Sequence, residues 1–141
     1  MTHDEEKLLR RAIALAAEAR TGGDPPFGSL LATADGTILA EERNSTLTDR
    51  DITAHPELKL ARWAARELDP AAAATTTMYT SCQPCGMCAG AIARSGLGRV
   101  VYALSVEQLH ALKPPGRASA EPPAEGPALY AEARVPLEGY W

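Results

Sequence analysis

The sequence predicts an α/β protein, a β-sheet with helices on its faces. Segments of helical periodicity alternate with short β-rich segments as far as Leu104. Turn signals separate them, among them Gly22-Gly23-Asp24-Pro25-Pro26, Asp35-Gly36, Asp69-Pro70 and Leu97-Gly98. At 141 residues, 45% hydrophobic and 23% charged, the chain suits one folded domain spanning residues 1–141.

The first helix is expected from about Asp4 to Arg20. Leu8, Leu9, Ala12, Ile13, Leu15, Ala16 and Ala19 recur at helical spacing, and the acids lie early with Arg20 late, as the macrodipole prefers. Two strands follow, Phe27–Thr33 and Thr37–Arg43, joined through the hairpin signal Asp35-Gly36. Asn44–Ile52 is polar and lacks either period, so a loop is expected. A second helix runs from near His55 to about Leu68, with Pro56 tolerated in its first turn and Trp63 in its apolar face. Ala71–Thr76 reads as a connector, Met78–Thr80 as a third strand, Cys85 to about Ser95 as a helix and Arg99–Leu104 as a fourth strand. From about Ser105 the pattern weakens. Short helices are expected at Val106–Leu112 and Leu129–Ala133, with a long exposed Pro-rich loop over Lys113–Gly126 and a tail ending in Tyr140-Trp141.

Composition excludes several classes. No apolar run is long enough to cross a bilayer, so no membrane partner is expected. The acidic opening Met1–Glu6 does not read as a signal peptide, which makes the cytoplasm the expected compartment. A formal net charge of −4 argues against a nucleic-acid partner. With 5% aromatic residues and much Ala, Leu and Val, the core is thin for a small monomer, and a homodimer is expected. Three cysteines, two of them in a CxxC pair, point to metal or redox chemistry rather than a disulfide framework.

The chemistry concentrates in two stretches. Pro84-Cys85-Gly86-Met87-Cys88 sets two thiols one turn apart at a helix start. A helix N-terminus favours negative charge, so both thiols are expected to ionise more easily than free ones. Thr53-Ala54-His55-Pro56-Glu57 supplies an imidazole and a carboxylate. CxxC by itself leaves a structural zinc or a redox pair open. His55, Cys85 and Cys88 together would leave one tetrahedral position of a zinc ion free, as catalytic sites do. Cys82 is expected to point away, and His3 and His110 lie in no motif. Zinc lowers the pKa of bound water from ~15.7 to roughly 7. Glu57, too close to His55 in sequence to share the ion comfortably, suits a general base that passes a proton to a leaving group.

These residues resemble the zinc signature H-x-E…P-C-x-x-C of the cytidine deaminase superfamily. The likeness extends to Pro26–Leu31, Arg43-Asn44, Asp51–His55 and Cys88–Ile92, which resemble the branch holding bacterial guanine deaminases and tRNA adenosine deaminases. It covers roughly Asp4 to Leu104. The resemblance implies a three-layer α-β-α fold with a mixed sheet of about five strands, and a dimer or tetramer. It implies that His55, Cys85 and Cys88 bind zinc and that Glu57 shuttles protons. It also implies that Asn44 hydrogen-bonds the substrate ring, that Phe27 walls the pocket, and that backbone N–H groups near Ala54 and Cys85 contact the substrate or the zinc-bound oxygen. Position 56 is proline where alanine is common. Position 83 is glutamine where glutamate is common, a change expected to alter the tuning of the zinc surroundings.

The bland alternatives are a turn role for Asn44, a core role for Phe27 and Trp63, and a solvated helix position for Glu107. Functionally, Glu107 would be a second proton shuttle or substrate contact, and Tyr140 and Trp141 would fold over an active site, their own or a neighbour's. The expected reaction is hydrolytic deamination of a small-molecule heterocycle. Guanine comes first, with cytosine-like rings, nucleosides and aminotriazines behind it. The alternative is a tRNA-specific adenosine deaminase, which must extrude a base and hold phosphates. From Ser105 on, Lys113, Arg117 and Arg134 face Glu107, Glu121, Glu125, Glu132 and Glu138, an acidic balance that weighs against RNA. A zinc-stabilised binding module without catalysis is the third reading, and the general base beside an open zinc position weighs against it.

Overall fold

A computed structural model describes residues 1–116 and 120–141. Its centre is a mixed four-stranded sheet in the order β2-β1-β3-β4, with β1 at Gly28–Ala32, β2 at Ile38–Arg43, β3 at Thr77–Cys82 and β4 at Arg99–Leu104. β1 pairs antiparallel with both β2 and β3, and β3 pairs parallel with β4. Helix α1 (His3–Thr21) covers one face. Helices α2 (Pro56–Glu67) and α4 (Gly86–Ser95) lie side by side on the other. The expected α-β-α layering is therefore present, with one strand fewer than the resemblance implies.

The missing strand has a physical cause. After α5 (Val106–Leu112) the chain runs through Pro114, Pro115, Pro122, Pro123 and Pro127, none of which can donate to a ladder. It then forms only α6 (Tyr130–Ala133) and a 3-10 turn at Val135–Leu137, so among the described residues no fifth strand follows β4. The expected exposed loop over Lys113–Gly126 is exposed throughout its described part, and Arg117, Ala118 and Ser119 of it lie outside the described residues.

The strand period of two sorts the core into two layers. Leu31 and Met78 face α2 and α4, packing with Leu60, Ala61, Ala64 and Ile92, and half-buried Trp63 joins this layer as the core reading of it expects. Leu30, Ala32, Tyr79 and Val101 face α1 through Leu9. Leu30, Leu31, Leu60 and Met78 are each 0% exposed, and burying each side chain stabilises the fold by roughly 1.5–3 kcal/mol.

Local chemistry explains the element ends. Thr2 and Glu5 form a reciprocal capping box that starts α1. Ala71–Thr76, expected as a connector, instead contains a short helix, α3 (Pro70–Ala74). Asp69-Pro70 stops α2, yet the Asp69 carboxylate accepts the Ala72 N–H at 2.8 Å and Pro70 fits the first helical turn, so the same pair starts α3.

Gly98 brings the chain from α4 into β4. A Cβ there would lie 1.9 Å from the carbonyl oxygen of Ala74 and 2.8 Å from its carbon, both backbone atoms that cannot yield. Gly98→Ala is expected to cost on the order of 3 kcal/mol, the upper end of overpacking penalties, read as a lower urea midpoint with an unchanged slope. A midpoint equal to wild type would show that the α3–β4 junction has slack the structure does not suggest.

Candidate active site

Two helix N-termini meet at the ends of the sheet strands. His55 is the N-cap of α2 and Cys85 the N-cap of α4, each in extended backbone, and neither side chain caps its own helix. Both are thus available to the neighbouring helix. His55 Nδ1 lies 3.6 Å from Cys85 Sγ and 3.4 Å from Cys88 Sγ. The donor atoms of His55, Cys85 and Cys88 all fall within 4.8 Å of one another, and among the described residues no fourth His, Cys, Asp or Glu joins the group.

This donor set fits zinc. Tetrahedral bonds of about 2.3 Å to sulfur and 2.0–2.1 Å to nitrogen put N and S roughly 3.6 Å apart, close to the separations found. Burial lowers the pKa of His55, favouring the neutral imidazole that ligates. The expectation of easily ionised thiols is corrected at Cys88. Burial first, then the neighbouring Glu57 carboxylate and Cys85, push this thiol well above the ordinary cysteine range. The helix N-terminus does not offset that desolvation. A bound cation would supply the compensating charge. Cys82, the last residue of β3, is buried and stands outside the donor group, as expected.

Glu57 sits in the first turn of α2, 7% exposed. Burial raises its pKa, partly offset by hydrogen bonds with its own backbone N–H, the Cys88 thiol and the Ser29 hydroxyl. A carboxyl group held beside a metal site, outside the ligand set and away from water, can accept and return a proton. Pro56 fills the first helical position between the two functional residues and is itself buried.

The remaining candidates are placed unevenly. Asn44 is 3% exposed, at the end of β2. Its Oδ1 accepts from the Thr46 N–H and the Thr46 hydroxyl, both at 2.9 Å, and its own N–H donates to the Phe27 carbonyl at 3.0 Å. The turn role of Asn44 is therefore real, and it occupies Oδ1 rather than Nδ2. Phe27 is half-buried beside it. Ala54 is buried, but its N–H donates to Asp51 O at 3.0 Å, and the next N–H, of His55, donates to Thr53 O at 2.7 Å. The donors expected there are used inside the loop. The Gln83 side chain accepts from the Val106 N–H at 3.1 Å, linking the end of β3 to α5. Glu107 is exposed on α5. Tyr140 and Trp141 are 76% and 91% exposed and meet edge to face, their rings 5.2 Å apart.

Four supporting residues escaped sequence reasoning. Lys59 Nζ donates to Arg43 O at 2.9 Å and Ser45 Oγ at 2.7 Å, on either side of Asn44, and pairs with Glu42. Asp24 receives the N–H groups of Leu47 and Thr48, both at 3.0 Å, and holds the loop after Asn44. Ser29 and Thr80 stand behind Glu57. The signal for Ser29 was a lone hydroxyl in an otherwise apolar strand, while Thr80 is one of several hydroxyls in β3; Lys59 and Asp24 carried none.

Residues 2–104 match the cytidine and deoxycytidylate deaminase zinc-binding region, and the chain belongs to that family. It is a zinc-binding deaminase domain, a hydrolase acting on C–N bonds, in which His55, Cys85 and Cys88 could hold the metal. Guanine deaminase from Bacillus subtilis is 40% identical over 101 residues, covering 71% of this chain and 64% of that protein. The crystal structure of guanine deaminase from B. subtilis superimposes with a TM-score of 0.77 and 32% identity, over 99% of this chain and 94% of the other. A probable cytosine deaminase of Schizosaccharomyces pombe is 33% identical over 94% of this chain and 90% of its own length. A tRNA-specific adenosine deaminase of Haemophilus influenzae is 35% identical over 72% of this chain and 58% of its own length. No helix among the described residues is long and apolar enough to cross a membrane.

Proposed function

We propose that the protein removes an exocyclic amine from a free nucleobase or related heterocycle by hydrolysis, with guanine the first-choice substrate. The observation that carries this reading is Glu57, buried beside a three-donor metal cluster yet outside it. Zinc, when bound by His55, Cys85 and Cys88, supplies an acidified water at neutral pH. Glu57 carries both protons of that water in turn, the first to the ring nitrogen beside the reacting carbon and the second to the departing amine. Water oxygen ends on the ring carbon as a carbonyl, and the amine leaves as ammonia. The Nδ2 group of Asn44 orients the ring, Phe27 and Ala54 wall the pocket, and Lys59 and Asp24 keep the Asn44 loop in place. Guanine is favoured because the likeness to the B. subtilis guanine deaminase structure extends over nearly the whole chain, tail included.

The same reading takes a homodimer. Every described residue from His110 onward is exposed, and the tail presents Leu129, Tyr130, Leu137, Tyr140 and Trp141 to solvent. Apolar side chains in that number favour a covering surface. A second copy supplies one, with Tyr140, Trp141 and Glu107 closing over the substrate. The tRNA reading is supported by relatives such as the H. influenzae enzyme, but the acidic balance after Ser105 opposes it.

The test is ammonia release from guanine, cytosine, cytidine, adenosine, an aminotriazine and tRNA, with the mass in solution taken by analytical ultracentrifugation. Turnover of guanine by a dimer is expected. Activity on tRNA alone would replace this substrate assignment, and a fully active monomer would remove the tail from the site.

A further inference from the structure

Ser29 on β1 and Thr80 on β3 are direct partners in the antiparallel register. They are 0% and 1% exposed. Ser29 Oγ lies 2.7 Å from Thr80 Oγ1 and 3.5 Å from Glu57 Oε1. Thr80 Oγ1 in turn lies 3.1 Å from the carbonyl oxygen of Cys82 and 3.5 Å from that of Gly28. Their strand neighbours Leu30, Leu31, Met78 and Tyr79 are core residues. Alanine and valine would fill these two positions without burying hydroxyls that need partners.

We propose that Ser29 and Thr80 form a hydroxyl pair that positions the Glu57 carboxyl from the sheet. This rests on the proton-shuttle reading of Glu57. A hydroxyl donates one hydrogen and still accepts, and a carboxyl oxygen accepts. Thr80 can therefore donate to Ser29 while Ser29 donates to Glu57 Oε1, which ties the carboxyl to two paired strands of the sheet. Ser29 and Thr80 are thus positioning residues that act through Glu57.

The experiment compares zinc-loaded wild type with Ser29→Ala, Thr80→Val and Thr80→Ser. Thr80→Val keeps the shape and loses the hydroxyl; Thr80→Ser keeps the hydroxyl and loses the methyl. Ser29→Ala and Thr80→Val are expected to lose about tenfold in kcat, the scale of one hydrogen bond to a catalytic group, with KM within about twofold. Thr80→Ser is expected to restore most of what Thr80→Val loses. Crystal structures of the variants should show the Glu57 carboxylate displaced, or in two rotamers, wherever a hydroxyl is missing. Equal losses in Thr80→Val and Thr80→Ser would reduce the pair to packing. An unmoved Glu57 carboxylate in both hydroxyl-less proteins, or wild-type kcat in both, would overturn the proposal. Should Ser29→Ala fail to fold, the two Thr80 variants decide it alone. If wild type deaminates no heterocycle tried, the function reading fails, and the crystallographic comparison still decides whether the pair holds Glu57.

Discussion

Glu57→Gln is expected to keep its zinc and lose roughly 10²–10⁴-fold in kcat, the range general acid–base catalysis supplies. Glutamine has the same size and can still meet the Ser29 hydroxyl, but it cannot take a proton from water. Because Glu57 stands outside the group His55, Cys85 and Cys88, its loss removes no donor. Metal analysis by mass spectrometry should therefore read the same zinc per chain in variant and wild type. The melting temperature should not fall either, since the substitution removes a carboxylate whose charged form is disfavoured by burial. Turnover at the wild-type rate would mean that another group carries the proton. Loss of zinc together with activity would place Glu57 among the ligands.

Removal of the metal has the second large effect. Dialysis against a strong chelator is expected to abolish activity and lower the melting temperature by about 10 °C. A ligand present at ~1,000 times its Kd stabilises by about 4 kcal/mol, and a chain of this length gains about 2–4 °C for each kcal/mol. Added zinc should restore both. The sign of the pH dependence follows from Cys88. In the metal-free protein burial and the Glu57 carboxylate push this thiol well above its ordinary range, so it is protonated at neutral pH. Zinc binds the thiolate, so binding must release at least that proton, and affinity must rise with pH. A weakly buffered titration with an indicator dye reads the release directly. Zinc uptake without proton release would mean that Cys88 is not a ligand.

Much of the fold was legible because its signals are local. The capped, amphipathic α1, the strand pair around Asp35-Gly36 and the helix starting behind Pro84 each carry their own start and stop chemistry. α3 was missed because Asp69-Pro70 is at once a helix terminator and a helix initiator, and only the short Ala run after it decides for the second. The fifth strand was expected from family likeness, where Lys113–Gly126 offers mostly prolines and small side chains.

The donor set was legible for a similar reason. His55 and Glu57 are two residues apart, Cys85 and Cys88 three, and each pair is bound to one helix start whatever the rest of the chain does. That both pairs serve a single site is a tertiary fact, made by α2 and α4 lying side by side on one face of the sheet. The same packing buries Cys88 and so reverses the ionisation expected of a thiol at a helix N-terminus, because desolvation outweighs the macrodipole there. It also brings Ser29 and Thr80, which are 51 residues apart, into contact behind Glu57, and sets Lys59 across the backbone on either side of Asn44. The sequence by itself determined the candidate groups, since their types and spacings are properties of short segments. Only the tertiary structure decided how those groups are supported, since hydrogen bonds between distant strands exist once the sheet has set its register.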